Sequence, residues 1–158
     1  MGIVKPSLWF ASGAKEAAEF YASLIPGCTI TSVVAGPAGV PGVEEGQAFL
    51  VDIDIDGVPL QLMNAGPEFT LDEAFSLVLE CDDQAQIDKY WDALTADGGK
   101  PGQCGWLTDR FGVSWQVVPK QLGEIFGDYS TEGSKRAMAA MFTMTKLDLA
   151  ALEAAAAG

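Results

Sequence analysis

Three short segments of this sequence recur further along the chain, and they recur in the same order. The first opens an apolar run, the second carries neighbouring aromatic residues at helical spacing, and the third is an apolar strand with one glutamine. The pairs are Ser7-Leu8 with Ser76-Leu77, Phe20-Tyr21 with Tyr90-Trp91, and 57–62 with 112–117. Ordered self-similarity of this kind is typical of repeated structural units. The sequence therefore predicts two copies of one module, arranged in tandem.

Hydrophobic periodicity predicts the same kinds of element in each copy. Short apolar or β-branched runs predict strands, and these lie at 7–10, 28–35, 49–55 and 58–63, then at 75–81, 102–107 and 113–118. Apolar residues at helical spacing predict a helix over 14–24, with Ser12 as its N-cap, and a second helix after Asp82-Asp83. Further helical pieces are predicted at about 120–126, 131–143 and 148–156. This order favours an α+β protein.

The charge balance and the missing histidine exclude several classes of function. The chain carries 22 acidic and 9 basic residues, which gives a net charge of -13. So acidic a chain has no basic excess for binding a phosphate backbone or an anionic membrane surface. The sequence contains no histidine, which excludes Ser-His-Asp triads, Cys-His dyads and histidine-ligated metal sites.

The cysteines and the apolar runs favour a cytoplasmic protein. Cys28, Cys81 and Cys104 are odd in number, widely spaced and without a CxxC pair, so they predict neither a disulfide framework nor a zinc site. We expect them to act as small apolar residues in a reducing compartment. No apolar run approaches the ~20 residues that span a bilayer, and no secretory signal is expected at the start. Cys104, which lies among glycines, is the one candidate for a reactive thiol.

Four short motifs resemble one protein family. They are Leu8-Trp9-Phe10, Asn64-Ala65-Gly66-Pro67, Cys104-Gly105-Trp106-Leu107 and Ser114-Trp115-Gln116-Val117-Val118-Pro119. With the duplicated modules, they resemble the PhnB-like branch of the vicinal oxygen chelate superfamily, often labelled 3-demethylubiquinone-9 3-methyltransferase. That superfamily includes glyoxalase I, extradiol dioxygenases and bleomycin-resistance proteins. The resemblance implies a single glyoxalase-like domain over 1–158. Two βαβββ modules, at about 1–66 and 73–119, would form an open cup-shaped mixed sheet, followed by a helical tail at about 120–158.

The resemblance also implies where a metal would bind. Metal-using members of the superfamily place one ligand at the start of each module's first strand and one on its last strand, usually His or Glu. These positions fall on Ser7 (or Pro6), Gln61, Ser76 and Gln116. Hydroxyl and amide oxygens lack the charge and the softness that hold zinc, iron or nickel. We therefore expect neither a metal nor a cofactor.

A ligand pocket is expected to draw on aromatic and amide side chains. Pockets for small molecules combine large apolar surfaces with a few converging polar groups. The candidate pocket residues are Trp9, Gln61, Asn64, Ser76, Trp106, Phe111, Trp115 and Gln116. Several have a structural alternative: the tryptophans as core aromatics, Asn64 as a turn residue, and the glutamines as partners of each other or of the serines.

Other polar and sulfur-containing groups are expected to be structural. Asp52 and Asp54 predict a solvated strand face rather than a cation site, and Asp109-Arg110 predicts a turn with a surface ion pair rather than part of a pocket. Glu80 is the one carboxylate on which a catalytic site inside the sheet would draw. The methionines around 138–144 recur at helical spacing and predict packing against the sheet or a second subunit.

These observations favour a metal-independent protein that binds a small organic molecule, in the manner of a sequestering or resistance protein. Two alternatives stay open. One is an enzyme acting on a quinone-like or other small organic substrate, with methyl transfer implied by the family label. The other is a structural or regulatory dimer whose cup is filled by its own side chains. No catalytic residue can be named. We expect a homodimer, since dimers are the commonest symmetric assembly, and no nucleic-acid or membrane partner.

Overall fold

The computed structural model describes residues 2–158. The chain divides into two compact units, one over Met1–Leu71 and the other over Asp72–Gly158. Each unit contains a four-stranded mixed sheet with a helix, and the second also contains the helical tail. The predicted α+β class, with βαβββ modules and C-terminal helices, is thereby confirmed. Among the described residues, no helix is both long and apolar enough to cross a bilayer.

The first unit is a sheet with one helix packed on it. Its elements are β1 (Ser7–Phe10), α1 (Ala14–Leu24), β2 (Cys28–Ala35), β3 (Ala48–Ile55) and β4 (Val58–Asn64). The strand order is β1-β4-β3-β2, with β1 parallel to β4 and the other neighbours antiparallel. Asp56 and Gly57 join β3 to β4, both with positive φ, which is the two-residue hairpin that this dipeptide predicts.

Alternation along the strands separates the two faces of this sheet. One face is buried and packs against α1, and its residues include Leu8, Val51, Ile53, Leu60 and Leu62. The helix contributes small residues and one aromatic ring, which allow a close approach. These fully buried residues are Ala14, Ala17, Ala18 and Tyr21. The intervening strand residues point to the opposite side, which α1 leaves uncovered and which we call the open face.

The second unit has the same strand order as the first. Its elements are β5 (Ser76–Cys81), α2 (Gln84–Thr95), β6 (Lys100–Pro101), β7 (Trp106–Thr108) and β8 (Ser114–Pro119). They form a sheet in the order β5-β8-β7-β6, with β5 parallel to β8. Asp83 caps α2 by accepting a hydrogen bond from the Gln86 N–H at 2.9 Å. The buried residues of α2 are Ile87, Tyr90, Trp91 and Leu94, which lie on one face of the helix.

Three helices form the tail that follows the second sheet. They are α3 (Leu122–Phe126), α4 (Glu132–Met141) and α5 (Leu149–Ala157). The helices α4 and α5 pack together, and Leu152 of α5 is fully buried. Arg136 satisfies carbonyl groups at the end of α5, because its Nε donates to Ala155 O at 2.9 Å and its Nη2 to Ala156 O at 3.1 Å. The helical pieces predicted for the tail are confirmed.

Two local predictions are wrong. Ser12 is not the N-cap of α1. Gly13 occupies that position with a φ of 86° and no side-chain cap, and Asn64 Oδ1 instead accepts from the Ala14 N–H at 3.0 Å. The strand predicted over 102–107 is a turn followed by β7, because Cys104 and Gly105 both have positive φ, a conformation outside the strand region.

Candidate functional site

The open face of the first unit carries two neighbouring rows of side chains that cross β1, β4 and β3. Strand register places Ser7 beside Gln61, and Gln61 beside Asp52, in a polar row. The next row is apolar and consists of Trp9, Met63 and Leu50. This face therefore offers hydrogen-bonding groups directly beside an apolar strip.

Hydrogen bonds link the polar row into a chain. Ser7 Oγ donates to Gln61 Oε1 at 3.2 Å, and Gln61 Nε2 donates to Asp52 Oδ1 at 3.3 Å. Lys5, in the segment before β1, donates its Nζ to the same carboxylate oxygen at 2.8 Å. The Lys5 and Asp52 side chains keep 42% and 28% of their surface exposed, so the ion pair can be reached from solvent.

Two further candidate residues of this unit are held by backbone groups. Trp9 Nε1 donates to Gly66 O at 2.9 Å, and its ring meets the Phe69 ring edge-on, with centroids 4.9 Å apart. These contacts fix the indole. Asn64 caps α1, and its Nδ2 donates to Ala48 O at 2.9 Å. Asn64 therefore joins the helix to the sheet, which is a structural role.

The second sheet also has an open face, on the side opposite to α2, and this face brings a tryptophan and a glutamine together. Strand register places Gln116 between Val78 of β5 and Trp106 of β7. Gln116 Nε2 donates to Ser76 Oγ at 2.9 Å. Trp106 and Gln116 are both partly exposed, so a flat apolar surface lies next to an amide. Glu80, the carboxylate named for a catalytic site, is exposed.

Each glutamine has a serine of its own unit as partner. The sequence left open whether the glutamines bond to each other, to the serines or to a ligand. Gln61 pairs with Ser7, and Gln116 pairs with Ser76. The registers differ, since Ser7 is directly opposite Gln61 whereas Ser76 is opposite Ser114. Both glutamines stay partly exposed, so each serine orients an amide that still faces solvent.

The structure places Trp115 in the core of the second unit. Its side chain is 2% exposed, because alternation along β8 turns it away from its neighbour Gln116. Trp115 Nε1 donates to Asp109 Oδ2 at 2.9 Å. Phe111 lies in the turn before β8, where the guanidinium of Arg110 is 4.8 Å from its ring centre. The structural alternative for Trp115, a core aromatic, is the one that the structure shows.

Asp109 is buried rather than on the surface. It is 3% exposed, and its Oδ1 accepts from the Phe111 N–H at 2.9 Å and the Val113 N–H at 3.0 Å. Arg110 has an ion pair with Asp97, at 3.6 Å. The expected turn is present, but the prediction of a surface carboxylate is wrong, because Asp109 folds inward and accepts from the backbone of its own turn.

The three cysteines are free thiols in different surroundings. Burial raises the pKa of the Cys28 thiol. Burial, with the charges of Asp82 and Asp83 nearby, raises the pKa of Cys81 to about 11. Both thiols therefore stay protonated at neutral pH. Cys104 is half-buried in a turn at φ 58°, and its N–H donates to Met144 O at 2.9 Å; its reactivity stays a prediction.

The donor set does not fit a transition metal. Within residues 2–158, no three His, Cys, Asp or Glu side chains form a group that could hold a metal ion. The positions that the resemblance assigns to metal ligands present hydroxyl and amide groups, which bind zinc, iron and nickel poorly. The carboxylate beside them, Asp52, already holds the ammonium of Lys5 at 2.8 Å. These residues therefore suit a polar organic group better than a transition-metal ion.

Sequence reasoning missed Lys5 and assigned Asp52 to a solvated face. One signal was available, because counting back from the Asp56-Gly57 hairpin places Asp52 directly opposite Gln61. A second signal is the position of Lys5, two residues before the serine that opens β1. Neither signal predicts how far across the sheet a long side chain extends.

The methionine-rich part of the tail lines an exposed groove. Met138 lies there with Tyr129 and Phe142, which are 60% and 64% exposed. The predicted packing of this stripe against the sheet or a second subunit stays a prediction.

Known proteins share this fold. A family model described as 3-demethylubiquinone-9 3-methyltransferase matches residues 3–118. Among solved structures, the PhnB protein from Bacillus cereus is 27% identical and covers 75% of this chain and 99% of its own, with a TM-score of 0.66. Protein PA1353 from Pseudomonas aeruginosa is 22% identical, with coverages of 75% and 98% and a TM-score of 0.61. The fosfomycin resistance protein FosX from Listeria monocytogenes is 12% identical, with coverages of 78% and 97% and a TM-score of 0.52. A search of curated proteins found no match.

The likeness to PA1353 and FosX concerns the fold alone, since their identity to this chain is low. The family model carries more weight because it spans most of the chain and includes strands of both units. The resemblance drawn from the sequence motifs is confirmed. The chain belongs to the 3-demethylubiquinone-9 3-methyltransferase family, and it is similar over most of its length to the PhnB protein of Bacillus cereus.

Proposed function

We propose that this protein binds a small organic molecule on the open faces of its sheets and needs no metal to do so. The observation that carries the proposal is the pairing of Gln61 with Ser7, and of Gln116 with Ser76. These residues stand where the resemblance places metal ligands. They are neutral donors and acceptors, which suit the polar atoms of an organic ligand.

A tryptophan near each pair supplies the apolar surface for such a ligand. Trp106 is directly opposite Gln116 in the sheet of the second unit. In the first unit, Trp9 lies two residues along β1 from Ser7. Indole rings offer large flat surfaces that stack on other rings. The combination favours a flat ligand that carries polar substituents.

Calorimetric titration of chelator-treated protein with 2-naphthamide, a flat neutral probe, tests this proposal. We expect Trp106→Ala to lower the affinity about tenfold, because the apolar surface is lost. Trp106→Phe should keep most of the affinity, since a phenyl ring still offers a flat surface. Added Mn²⁺ or Zn²⁺ should leave the affinity unchanged. If the unmodified protein does not bind the probe at millimolar concentration, or binds it only with metal, the proposal is wrong.

Methyl transfer to a quinone-like substrate is the second candidate function, because the family description names it. The glycine-rich segment 36–46 joins β2 to β3, whereas S-adenosylmethionine commonly binds where a strand turns into a helix. Titration with S-adenosylmethionine under the same conditions separates the candidates. Saturable binding of this cofactor would favour the enzyme. If neither probe binds, a structural or regulatory dimer gains support.

We further propose that the protein is a cytoplasmic homodimer. The buried free thiols of Cys28 and Cys81 fit a reducing compartment. Two-fold dimers are the commonest symmetric assembly, and Tyr129 and Phe142 add exposed apolar surface that a second copy would cover. Light scattering after size-exclusion chromatography should give about twice the chain mass of 16.6 kDa. A mass equal to that of one chain would contradict the dimer.

A further inference from the structure

We propose that Lys5 recognises the ligand on the open face of the first unit, and that this ligand carries an anionic oxygen next to a flat apolar body. The inference rests on the proposed binding function and names the class of molecule that it would take. It is carried by the position of Lys5 Nζ, which lies 2.8 Å from Asp52 Oδ1 and therefore over an inner strand of the sheet.

Lys5 reaches this position by extending across a strand. The Gln61 N–H donates to Pro6 O at 2.9 Å, so the backbone next to Lys5 runs along the β1 edge of the sheet. Asp52 lies on β3, two strands away. Since neighbouring strands are about 4.8 Å apart, the lysine side chain spans β4. Its cation is thus held on the face that carries Gln61, rather than at the edge.

The ammonium group keeps donors for a ligand. An ammonium group has three N–H donors and an amide has two. Lys5 Nζ and Gln61 Nε2 both donate to Asp52 Oδ1, so the two nitrogens lie around one oxygen. An anionic oxygen bound beside this pair accepts from the remaining N–H groups. Charge-assisted hydrogen bonds of this kind are stronger than neutral ones. The net charge of the chain is -13, so the protein as a whole repels an anion. Binding of an anionic ligand therefore depends on a positively charged side chain that is held in place at the site.

The apolar row on this face contacts the flat apolar body of the ligand. This row, made of Trp9, Met63 and Leu50, lies two residues along the strands from the polar row. That spacing is about 7 Å, a span that a bicyclic aromatic acid can cover with its far ring on the apolar row and its carboxylate at the polar row. A flat ring on the apolar row therefore puts its anionic substituent next to Lys5.

Paired titrations with 2-naphthoate and 2-naphthamide test the inference. The probes share one ring system, and naphthoate alone is anionic at pH 7. We expect Lys5→Gln to weaken 2-naphthoate binding about tenfold, because a charge-assisted bond is lost. The same variant should bind 2-naphthamide as the unmodified protein does, and Lys5→Arg should keep most of the affinity for 2-naphthoate. Lys15→Gln is the matched control, since it removes the same charge from an α1 residue paired with Glu19 at 2.8 Å.

The outcomes separate this inference from the proposed function. If Lys5→Gln weakens both probes equally or neither of them, Lys5 does not recognise the anionic oxygen, and the inference is overturned while binding stands. If Lys15→Gln weakens 2-naphthoate as much as Lys5→Gln does, the effect is one of net charge, and the inference is also overturned. If the unmodified protein does not bind 2-naphthamide, the proposed function fails, and the inference that rests on it fails as well.

Discussion

Asp109 holds the turn before β8 through its side chain. Its two carboxylate oxygens accept hydrogen bonds from Phe111 N, Val113 N and Trp115 Nε1. Asp109→Asn replaces one of these oxygens by an amide donor, which leaves a buried group without its acceptor. We expect the free energy of unfolding to fall by about 1–3 kcal/mol. Urea unfolding followed by tryptophan fluorescence measures the change.

Asp97→Asn is the matched control for this prediction. The Asp97 side chain is 79% exposed and lies 3.6 Å from Arg110, and exposed pairs contribute about 0–1 kcal/mol. Asparagine also tolerates the positive φ of 54° at this position. Equal losses in the free energy of unfolding would show that the buried hydrogen bonds of Asp109 stabilise the fold no more than the exposed ion pair of Asp97 does.

The raised pKa of the Cys81 thiol predicts that the folded protein loses stability at alkaline pH. In the folded protein its pKa is raised from the ordinary 9.0 to about 11, chiefly because the thiol is buried. Between these values the unfolded chain releases the proton and the folded chain keeps it, so stability falls as the pH rises. Titration of this one thiol should cost about 2 kcal/mol by about pH 11.

Comparison with Cys81→Ala isolates that contribution. Alanine leaves a cavity whose cost does not depend on pH, so the variant is less stable than the unmodified protein at about pH 8. The difference in the free energy of unfolding should narrow by about 2 kcal/mol between about pH 8 and about pH 11. Urea unfolding at each pH gives this difference. A difference that stays constant would mean that Cys81 ionises as easily in the folded state as in the unfolded chain.

At the scale of elements, the first turn of α1 depends on a side chain from β4. Asn64 Oδ1 accepts from the Ala14 N–H, and its Nδ2 donates to Ala48 O. Asn64→Ala removes both bonds, and we expect a loss of about 1–2 kcal/mol in the free energy of unfolding. Ser12→Ala, at the cap position that the sequence suggests, should change stability by less than about 0.5 kcal/mol. Urea unfolding of both variants decides between the caps, and a larger effect at Ser12 would favour the sequence-based assignment.

Helix α1 shows why the sequence predicts the positions of helices and strands better than it predicts the contacts between distant residues. Burial repeats with the period of each element, as in α2 and β3, so helices and strands follow from the pattern of apolar residues. The cap of α1 could not be predicted this way, because Asn64 lies 50 residues from Ala14. The turn before β7 was missed because Cys104 adopts a positive φ that residues other than glycine seldom show.

In the candidate site, too, the sequence pattern predicts which face a residue occupies but not which distant residue it contacts. Alternation along β8 puts the neighbours Trp115 and Gln116 on opposite faces, so the two could not both line one pocket. That inference was available from the sequence. The pairing of each glutamine with a serine was among the sequence alternatives, but only the structure distinguishes it. The reach of Lys5 could not be predicted, because a long flexible side chain follows no periodic pattern.

At the scale of the whole chain, the two units share a strand order and a serine–glutamine pair, but their open faces differ in chemistry. Gln61 of the first unit stands beside the Lys5–Asp52 ion pair. Gln116 of the second unit stands between Val78 and Trp106. One framework thus places an ion pair beside the glutamine of one unit and a tryptophan beside the glutamine of the other. We therefore expect anionic and neutral ligand groups to be recognised by different units.

The net charge of the whole chain predicts that added salt stabilises the fold. With 22 acidic and 9 basic residues, most carboxylates have no cation of their own, and like charges repel more strongly in the compact state. Raising sodium chloride from about 10 mM to about 300 mM reduces the Debye length several-fold. We expect the Tm, followed by circular dichroism, to rise by about 3 °C or more.

Screening also weakens the surface ion pairs, such as Lys120–Asp82 and Lys146–Asp88, and this effect opposes the first. Exposed pairs contribute about 0–1 kcal/mol each, so the net repulsion should dominate. Repeating the series at about pH 6 and about pH 7.5 is the control, because histidine is the side chain that ordinarily titrates there and the chain has none. The salt dependence should be the same at both pH values. A Tm that falls with added salt would show that the ion pairs outweigh the net charge.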